Sequence, residues 1–282
     1  MPALGDLVRV TWIQWVGAEP YVQRNLPTGG VELHFPLGSP PRLVGPLTGP
    51  SVEVLAPGTT VLGVRFRPGA ASLLGLPARE LLDLTVSLDE IWGPAAGHLA
   101  ERLSDTATPE AALLMLQEYL VTRRADGAEP DPVVSQAVRR LMPWQADGIR
   151  SLSESLAISP SQLRRRFLDS VGTGPKALQR TLRFQGLLAL VQYFRARAMP
   201  PDGGLAALAA EAGYADHAHL CRECLRLTGL PPLAFLKGRC GCGHDHSASF
   251  VPFLRGHRWP VPAQNARSVQ ALGESAGLAS QA

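Results

Sequence analysis

The residues best suited to chemistry cluster in the last third of the chain. All four cysteines lie between positions 221 and 242, and four of the seven histidines lie between positions 217 and 246. Thiolates and imidazoles at short spacing are the ligands that Zn²⁺ or Cu⁺ prefers in proteins. The candidate metal ligands are Cys221, Cys224, Cys240, Cys242, His244 and His246.

Two interpretations of this cluster stay open. Cys221 and Cys224 stand three positions apart on a predicted helix and so share a face. A metal held by this pair and the later residues would clamp the following loop onto the helix, and zinc or copper would then act as a switch. Cys224, however, occupies a core position, where a small thiol can be ordinary packing. The Cys-x-Cys spacing at 240–242 is also less typical of zinc sites than Cys-x₂₋₄-Cys. No cofactor is therefore certain.

Charge divides the chain into an acidic front and a basic second half. Residues 1–130 carry nine arginines against fourteen acidic residues, a net charge of −5. Residues 131–240 carry fifteen basic and eight acidic residues, a net charge of +7. This asymmetry indicates that the second half meets a polyanion.

The length of 282 residues suits two domains and a tail. β-Branched and aromatic runs punctuated by Gly and Pro predict strands up to about residue 67, and helical periodicity follows from Ala70. We expect four segments: an N-terminal sensor or dimerisation domain at 1–126, a linker at 127–132, an all-helical domain at 133–237 and a mostly flexible tail at 238–282. The predicted class is α+β multidomain.

The helical half contains a helix-turn-helix pattern between residues 149 and 172. Ser159 is a natural N-cap and Pro160 suits the first helical position. Leu163 and Phe167 recur four apart and face inward, as in a helix that reads a major groove. The residues left facing outward are Ser161, Gln162, Arg164, Arg165 and Arg166. An ordinary helical hairpin with a solvated basic face is the alternative.

A second copy of the pattern spans residues 205–225. Gly213 suits a tight turn and Asp216 caps the following helix. We expect its outward residues to be His217, His219, Arg222 and Glu223. Between the copies, residues 175–197 predict a helix of 23 residues, about 34 Å long. One turn of DNA is also about 34 Å, so such a helix would place two reading helices in successive major grooves.

The arrangement resembles the AraC/XylS family of bacterial transcription regulators over about residues 133–237. The resembling segments are "SLSESLAISPSQLRRRF", "GTGPKALQRTLRFQ", "LAALAAEAGYADHAHLCREC" and "LTGLPPLAFL". The resemblance implies two helix-turn-helix units joined by a long helix, sequence-specific binding to promoter DNA and an effect on RNA polymerase. The DNA-reading residues it implies are Ser161, Gln162, Arg164, Arg165, His217, His219 and Arg222.

The second unit departs from this family pattern. The family usually has serine where Ala218 stands, an aromatic residue where Cys224 stands and often a basic residue where Leu225 stands. These changes predict weaker packing and weaker phosphate contact in the second unit, so the first unit would carry more of the affinity.

The N-terminal half resembles the sensor or assembly half of some of these regulators, from "LVGPLTGP" onward, although the function of that half is poorly understood. The possible partners of this half are an unknown small-molecule or metal effector and a second copy of the chain in a homodimer. Arg65 and Arg67 leave a strand just before a predicted helix, where an anion could bind. Pairing of these arginines with Glu32 or Glu53 is the favoured alternative.

Other function classes receive little support from the sequence. No run of about eighteen apolar residues and no signal peptide is visible, and the clustered cysteines do not form a disulfide framework. We therefore expect a cytoplasmic protein without a membrane partner. No nucleophile motif, phosphate loop or HExxH is present, which disfavours an enzyme. A metal-handling protein without a DNA role would require the tandem helices to be accidental.

Overall fold

The computed structural model of the chain describes residues 4–142, 148–196 and 204–236. The front half is built on a five-stranded antiparallel sheet of order β1-β6-β3-β4-β7 and a two-stranded antiparallel sheet of β2 and β5. The strands are β1 (Val8–Trp15), β2 (Tyr21–Asn25), β3 (Glu32–Pro36), β4 (Arg42–Val44), β5 (Ser51–Leu55), β6 (Thr60–Phe66) and β7 (Thr85–Ser87).

The region after residue 67 is less regular than its sequence predicts. Residues Ala70–Leu74 and Ala78–Leu81 form short 3₁₀ turns, and β7 returns to pair with β4. The expectation that strands end near residue 67 and only helices follow is therefore wrong. Edge pairing with β4 overrides the local helical pattern of this short segment. The helices that follow are α1 (Asp89–Trp92), α2 (Pro94–Ser104) and α3 (Pro109–Asp126).

The two faces of the larger sheet have opposite character. Along β6, Leu62, Val64 and Phe66 are buried in the apolar core beneath the helices. On the other face, Arg65 Nε donates to Glu32 Oε1 at 2.7 Å, and His34 lies 3.3 Å from Glu32 Oε2. Burial alone would raise the pKa of Glu32, but Arg65 and His34 outweigh it and lower the pKa to about 2. The ion-pair alternative for Arg65 is thus confirmed.

The second half is helical throughout its described part. After a short connection from α3, its helices are α4 (Pro132–Arg140), α5 (Ile149–Ser155), α6 (Pro160–Val171), α7 (Pro175–Ala196), α8 (Gly204–Glu211), α9 (His217–Thr228) and α10 (Pro232–Leu236). The long helix α7 belongs to two cores. Leu178 and Leu182 pack with α4–α6, whereas Phe184, Leu187 and Leu188 pack with α8–α10.

Within the described ranges, none of the helices combines the length and apolar character needed to cross a membrane.

Candidate nucleic-acid interface

The first helix pair consists of α5 and α6 joined by a tight turn. Ala157 in this turn has a left-handed φ of 53°, which redirects the chain between the helices. Ser159 then starts α6 with a capping box. The backbone N–H of Gln162 donates to Ser159 Oγ at 3.2 Å, and the backbone N–H of Ser159 donates to Gln162 Oε1 at 3.0 Å. The cap fixes where α6 begins and therefore which residues face outward.

Burial separates the two faces of α6. Leu163 and Phe167 are fully buried against Leu152 of α5. Arg164 and Arg165 are exposed on the other side, and within the described residues neither forms an ion pair. Two adjacent cationic side chains thus stand in solvent on a rigid helix.

The other outward residues of α6 differ from these two arginines. Ser161 is exposed, with its Oγ 2.9 Å from Ser159 Oγ. Gln162 is exposed, but its Oε1 is used in the cap. Arg166 donates to Asp131 Oδ2 at 2.6 Å, and so it fastens α6 to the start of α4 rather than extending the free cationic surface.

The second helix pair consists of α8 and α9 with a glycine turn. Gly213 has a φ of 79°, as its position in the sequence predicted. Asp216 caps α9 by accepting from the backbone N–H of His219 at 2.6 Å. His217 and Arg222 are exposed. His219 is half-buried, because its ring packs edge-on against Tyr214 at 5.2 Å between centroids.

Glu223 does not face outward as expected but is buried, with 5 % of its surface exposed. Its carboxylate accepts from Arg180 Nε at 2.8 Å and from a second nitrogen of the same guanidinium. Arg226 Nη2 lies 3.6 Å away on the other side. Burial alone would raise the pKa of Glu223, but hydrogen bonding and charge from Arg180, and the charge of Arg226, hold the pKa below its usual value.

Helix α7 connects the two pairs. It is a continuous helix of 22 residues, about 33 Å long. Its first half is buried in the core of the first pair and its second half in the core of the second. The expected end at Arg197 lies outside the described residues.

Comparison with known proteins agrees with this geometry. A family described as a helix-turn-helix domain matches residues 152–238, a range that begins within α5 and contains α6 to α10. This domain is of the AraC type. The chain is a DNA-binding transcription regulator. A domain of unknown function (DUF6597) matches residues 1–87. No curated protein matches the chain.

Solved structures of ToxT from Vibrio cholerae are similar to this chain at low identity. The apo form of a ToxT variant is 12 % identical, with a TM-score of 0.44 over 80 % of this chain and 96 % of that one. ToxT bound to (E)-4-(8-methylnaphthalen-1-yl)but-3-enoic acid is also 12 % identical, with a TM-score of 0.44 over 81 % and 99 % of the two chains.

The cysteines of the AraC-type domain lie in different environments. Cys224 is buried and packs in the core of the second pair, and burial raises the pKa of its thiol to about 11. Cys221 lies nearer the surface, with Sγ 3.5 Å from His217 Nδ1. Among the described residues, no three acidic, histidine or cysteine side chains gather where they could hold a metal ion. Cys240, Cys242, His244 and His246 lie outside the described residues.

Sequence reasoning missed the residues that join this AraC-type domain to the front half. Arg226 Nη1 donates to the carbonyl oxygen of Thr48 at 3.1 Å, and Arg24 Nη1 donates to that of Thr228 at 3.0 Å. These partners are 178 and 204 positions apart. No local pattern relates residues at such separations.

Proposed function

We propose that the protein binds promoter DNA sequence-specifically with both helix pairs and changes how transcription begins. The observation that carries this proposal is the pair of exposed arginines, Arg164 and Arg165, on the capped helix α6. Arginine reads guanine bidentately in the major groove or neutralises phosphate. A rigid helix with two exposed guanidinium groups that form no ion pair among the described residues is suited to either contact.

In this proposal α6 and α9 enter successive major grooves. The length of α7, about 33 Å, is close to one helical turn of DNA. Ser161 and Gln162 would contact the DNA beside the arginines of α6. On α9 the contacts would come from His217, His219 and Arg222. Because α9 offers fewer free cations, we assign most of the affinity to α6.

The test is a DNA-binding titration of the full chain with Arg164→Ala and Arg165→Ala. The probe is a duplex selected by the wild-type chain from a random-sequence library. A lost base contact costs about 1–3 kcal/mol, roughly 5- to 150-fold in affinity, and a lost phosphate contact lowers the salt slope by about one.

Arg150→Ala is the matched control. Arg150 lies on α5 of the same helix pair, and its side chain is 92 % exposed. We expect this variant to bind DNA like the wild type. Unchanged affinity in both α6 variants would show that the reading face was assigned wrongly, and failure to select any duplex would sink the proposed function itself.

The partners in this proposal are double-stranded promoter DNA and RNA polymerase in the cytoplasm. The proposal also includes a homodimer and a small-molecule effector, both acting through the front half. The match of residues 1–87 to a domain of unknown function supports a separate front module without naming its ligand.

A metal- or thiol-responsive form of the same regulator is the second candidate. It is favoured by the contact of 3.5 Å between Cys221 Sγ and His217 Nδ1 on the helix proposed to read DNA. Zn²⁺ or Cu⁺ bound there would compete with DNA. We expect added Zn²⁺ to change DNA affinity several-fold, a chelator to reverse the change and Cys221→Ser to abolish it. Indifference to metal would place the signal in residues 1–126.

A further inference from the structure

The loop from Pro46 to Pro50 touches the C-terminal ends of both α6 and α9. Gly172 ends α6, and a Cβ added there would lie only 2.8 Å from Pro46 Cγ. In the last turn of α9, Arg226 Nη1 donates to the carbonyl oxygen of Thr48 at 3.1 Å. Gly229 ends α9, and a Cβ there would lie 3.4 Å from Pro50 Cγ. One short loop therefore bridges the two proposed reading helices.

Asp83 holds this loop in place with three hydrogen bonds. Its backbone N–H donates to the carbonyl oxygen of Pro46 at 2.9 Å. Its carboxylate accepts from Thr48 N at 2.6 Å and from Thr48 Oγ1 at 2.7 Å. Asp83 also has a left-handed φ of 57°, which aspartate tolerates at some cost in strain. A strained residue that makes three bonds to one loop indicates a conformation maintained by the surrounding structure.

The loop has little freedom of its own. Pro46 and Pro50 each fix a backbone φ. Gly45, just before the loop, passes so close to the carbonyl oxygen of Leu81 that an added Cβ would overlap it. The loop is thus anchored to the front domain at its entrance and by Asp83 at its centre.

Further contacts between the front domain and these helices lie at the same helix ends. Arg24 donates to the carbonyl oxygen of Thr228, the last residue of α9. Arg79 forms an ion pair with Asp169 in the last turn of α6. Exposed pairs of this kind contribute little alone. These contacts are informative because they all lie at the C-terminal ends of α6 and α9.

We propose that the Pro46–Pro50 loop, braced by Asp83, sets the relative position of α6 and α9 and thereby determines the spacing between the DNA segments that the protein reads. The proposal rests on the proposed function, in which both helices contact DNA. Thr48 and Asp83 are positioning residues, because they act through Arg226 and the helix ends rather than on DNA.

The position of the loop on the helices determines whether the loop should strengthen or weaken DNA binding. The loop touches the C-terminal ends of α6 and α9, whereas Arg164, Arg165 and His217 lie in their N-terminal halves and are exposed. The loop does not cover the proposed reading surface. It orders the two helices before DNA arrives, which lowers the entropy cost of binding. Release of the loop should therefore lower the affinity for DNA and weaken the preference for one spacing.

The first test measures the helices without DNA. Spin labels are introduced as unnatural amino acids at Ser161 and Ala218 of the full chain, and their distance distribution is recorded. We expect a narrow distribution in the wild type and a broader one in Asp83→Gly, which removes the two carboxylate bonds and relieves the φ strain. Asp83→Asn retains an acceptor for Thr48 N and should stay narrow. Equal widths in all three proteins would overturn the proposal.

The second test measures spacing preference with the duplex selected by the wild-type chain. Variants of this duplex have one base pair added or removed between the two protected segments. We expect Asp83→Gly to lose about three- to tenfold in affinity on the original duplex, and much less on the shifted ones. A rise in affinity would mean that the loop inhibits, and an unchanged spacing preference would mean that it does not position α9; either result contradicts the proposal.

The two tests separate this inference from the proposed function. If the wild-type chain selects no duplex, the DNA-binding proposal fails, while the distance measurement still decides whether the loop holds the helices. If the Arg164 and Arg165 variants lose affinity but Asp83→Gly matches the wild type in both measurements, the function stands and the loop proposal fails.

Discussion

The two helix pairs use arginine in opposite ways. In the first pair, Arg164 and Arg165 extend into solvent from a helix whose buried side is wholly apolar. At the second pair, Arg226 of α9 and Arg180 of the neighbouring helix α7 point toward the buried carboxylate of Glu223. Arg164 and Arg165 of the first pair thus remain exposed, whereas the arginines around Glu223 join α9 to α7.

This difference indicates a division of labour within one DNA-binding domain. The first pair is stabilised by close packing around Leu163 and Phe167, and within the described residues Arg164 and Arg165 form no ion pair. The second has Cys224 at the corresponding core position, and its ion pairs join α9 to α7. Its placement therefore depends on internal charges as well as on apolar packing.

The largest effect should follow from breaking the charge cluster of the second pair. Glu223→Ala leaves two arginines facing each other without a carboxylate. Removal of one partner of a fully buried pair costs about 3–5 kcal/mol. Both arginine side chains are about a third exposed, so screening by solvent lowers the expected loss to roughly 2–3 kcal/mol. Urea unfolding followed by circular dichroism measures it.

The matched control lies in the first pair. Glu154 pairs with Arg150 on the exposed surface of α5, so Glu154→Ala should cost less than about 0.5 kcal/mol. Similar losses in the two variants would contradict the comparison.

The pH dependence of stability provides a second test of the Glu223 cluster. The pKa of Glu223 is lowered in the folded protein, so the stability that its charge contributes is present above the ordinary carboxyl pKa near 4.5 and is lost as pH falls below it. Glu223→Gln should flatten that decline.

A smaller difference is expected between the glycines that end α6 and α9. Both are left-handed, with φ of 82° at Gly172 and 74° at Gly229. A Cβ on Gly172 would also meet the carbonyl oxygen of Ala78 at 2.9 Å. Because this oxygen belongs to the backbone, it cannot move away by a change of side-chain rotamer. Gly172→Ala should therefore cost about 2–4 kcal/mol, against about 1 kcal/mol for Gly229→Ala.

Unfolding midpoints of the two glycine variants measure this difference. Gly75→Ala is the control, because Gly75 has a similar left-handed φ of 79° and a Cβ there has nothing within 4 Å. Equal losses at Gly172 and Gly229 would mean that the loop gives way at Pro46, and would weaken the case for a rigid brace.

Local signals in the sequence were sufficient to locate the starts of the two proposed reading helices. Ser159, Pro160 and Gln162 define the start of α6, and Gly213 and Asp216 define the start of α9. Caps and apolar spacing act within a few residues, and so they can be recognised without knowledge of the fold. The exposed arginines of α6 followed directly from that assignment.

The parts that the sequence did not reveal depend on distant partners. Glu223 has the polarity of a surface residue, and its burial requires Arg180, 43 positions earlier. The short strand β7 exists because β4 offers an edge. The bridging loop at 46–50 contains only turn residues, and its importance comes from α6 and α9 lying against it. Such interactions are determined by tertiary packing rather than by local propensity.

The smallest effect concerns the turns within the two pairs. The first turn places Ala157 at a φ of 53°, and the second uses Gly213 at 79°. A side chain in this region costs about 1–2 kcal/mol, partly offset by the lower entropy of the unfolded chain relative to glycine. Ala157→Gly should therefore stabilise the protein by up to about 1 kcal/mol, and Gly213→Ala should destabilise it by about 1 kcal/mol.

Unfolding midpoints of the two variants test this prediction. The double variant, with Ala157→Gly and Gly213→Ala together, tests whether the two effects are independent. A Cβ on Gly213 would meet only Arg183 Nε, at an ordinary 3.7 Å, so backbone strain is the main cost there. The two turns belong to different helix pairs, whose buried residues form separate cores, so their effects should add. If Ala157→Gly destabilises the protein instead, its methyl group must pack favourably, and the first pair would depend on side-chain packing even at its turn.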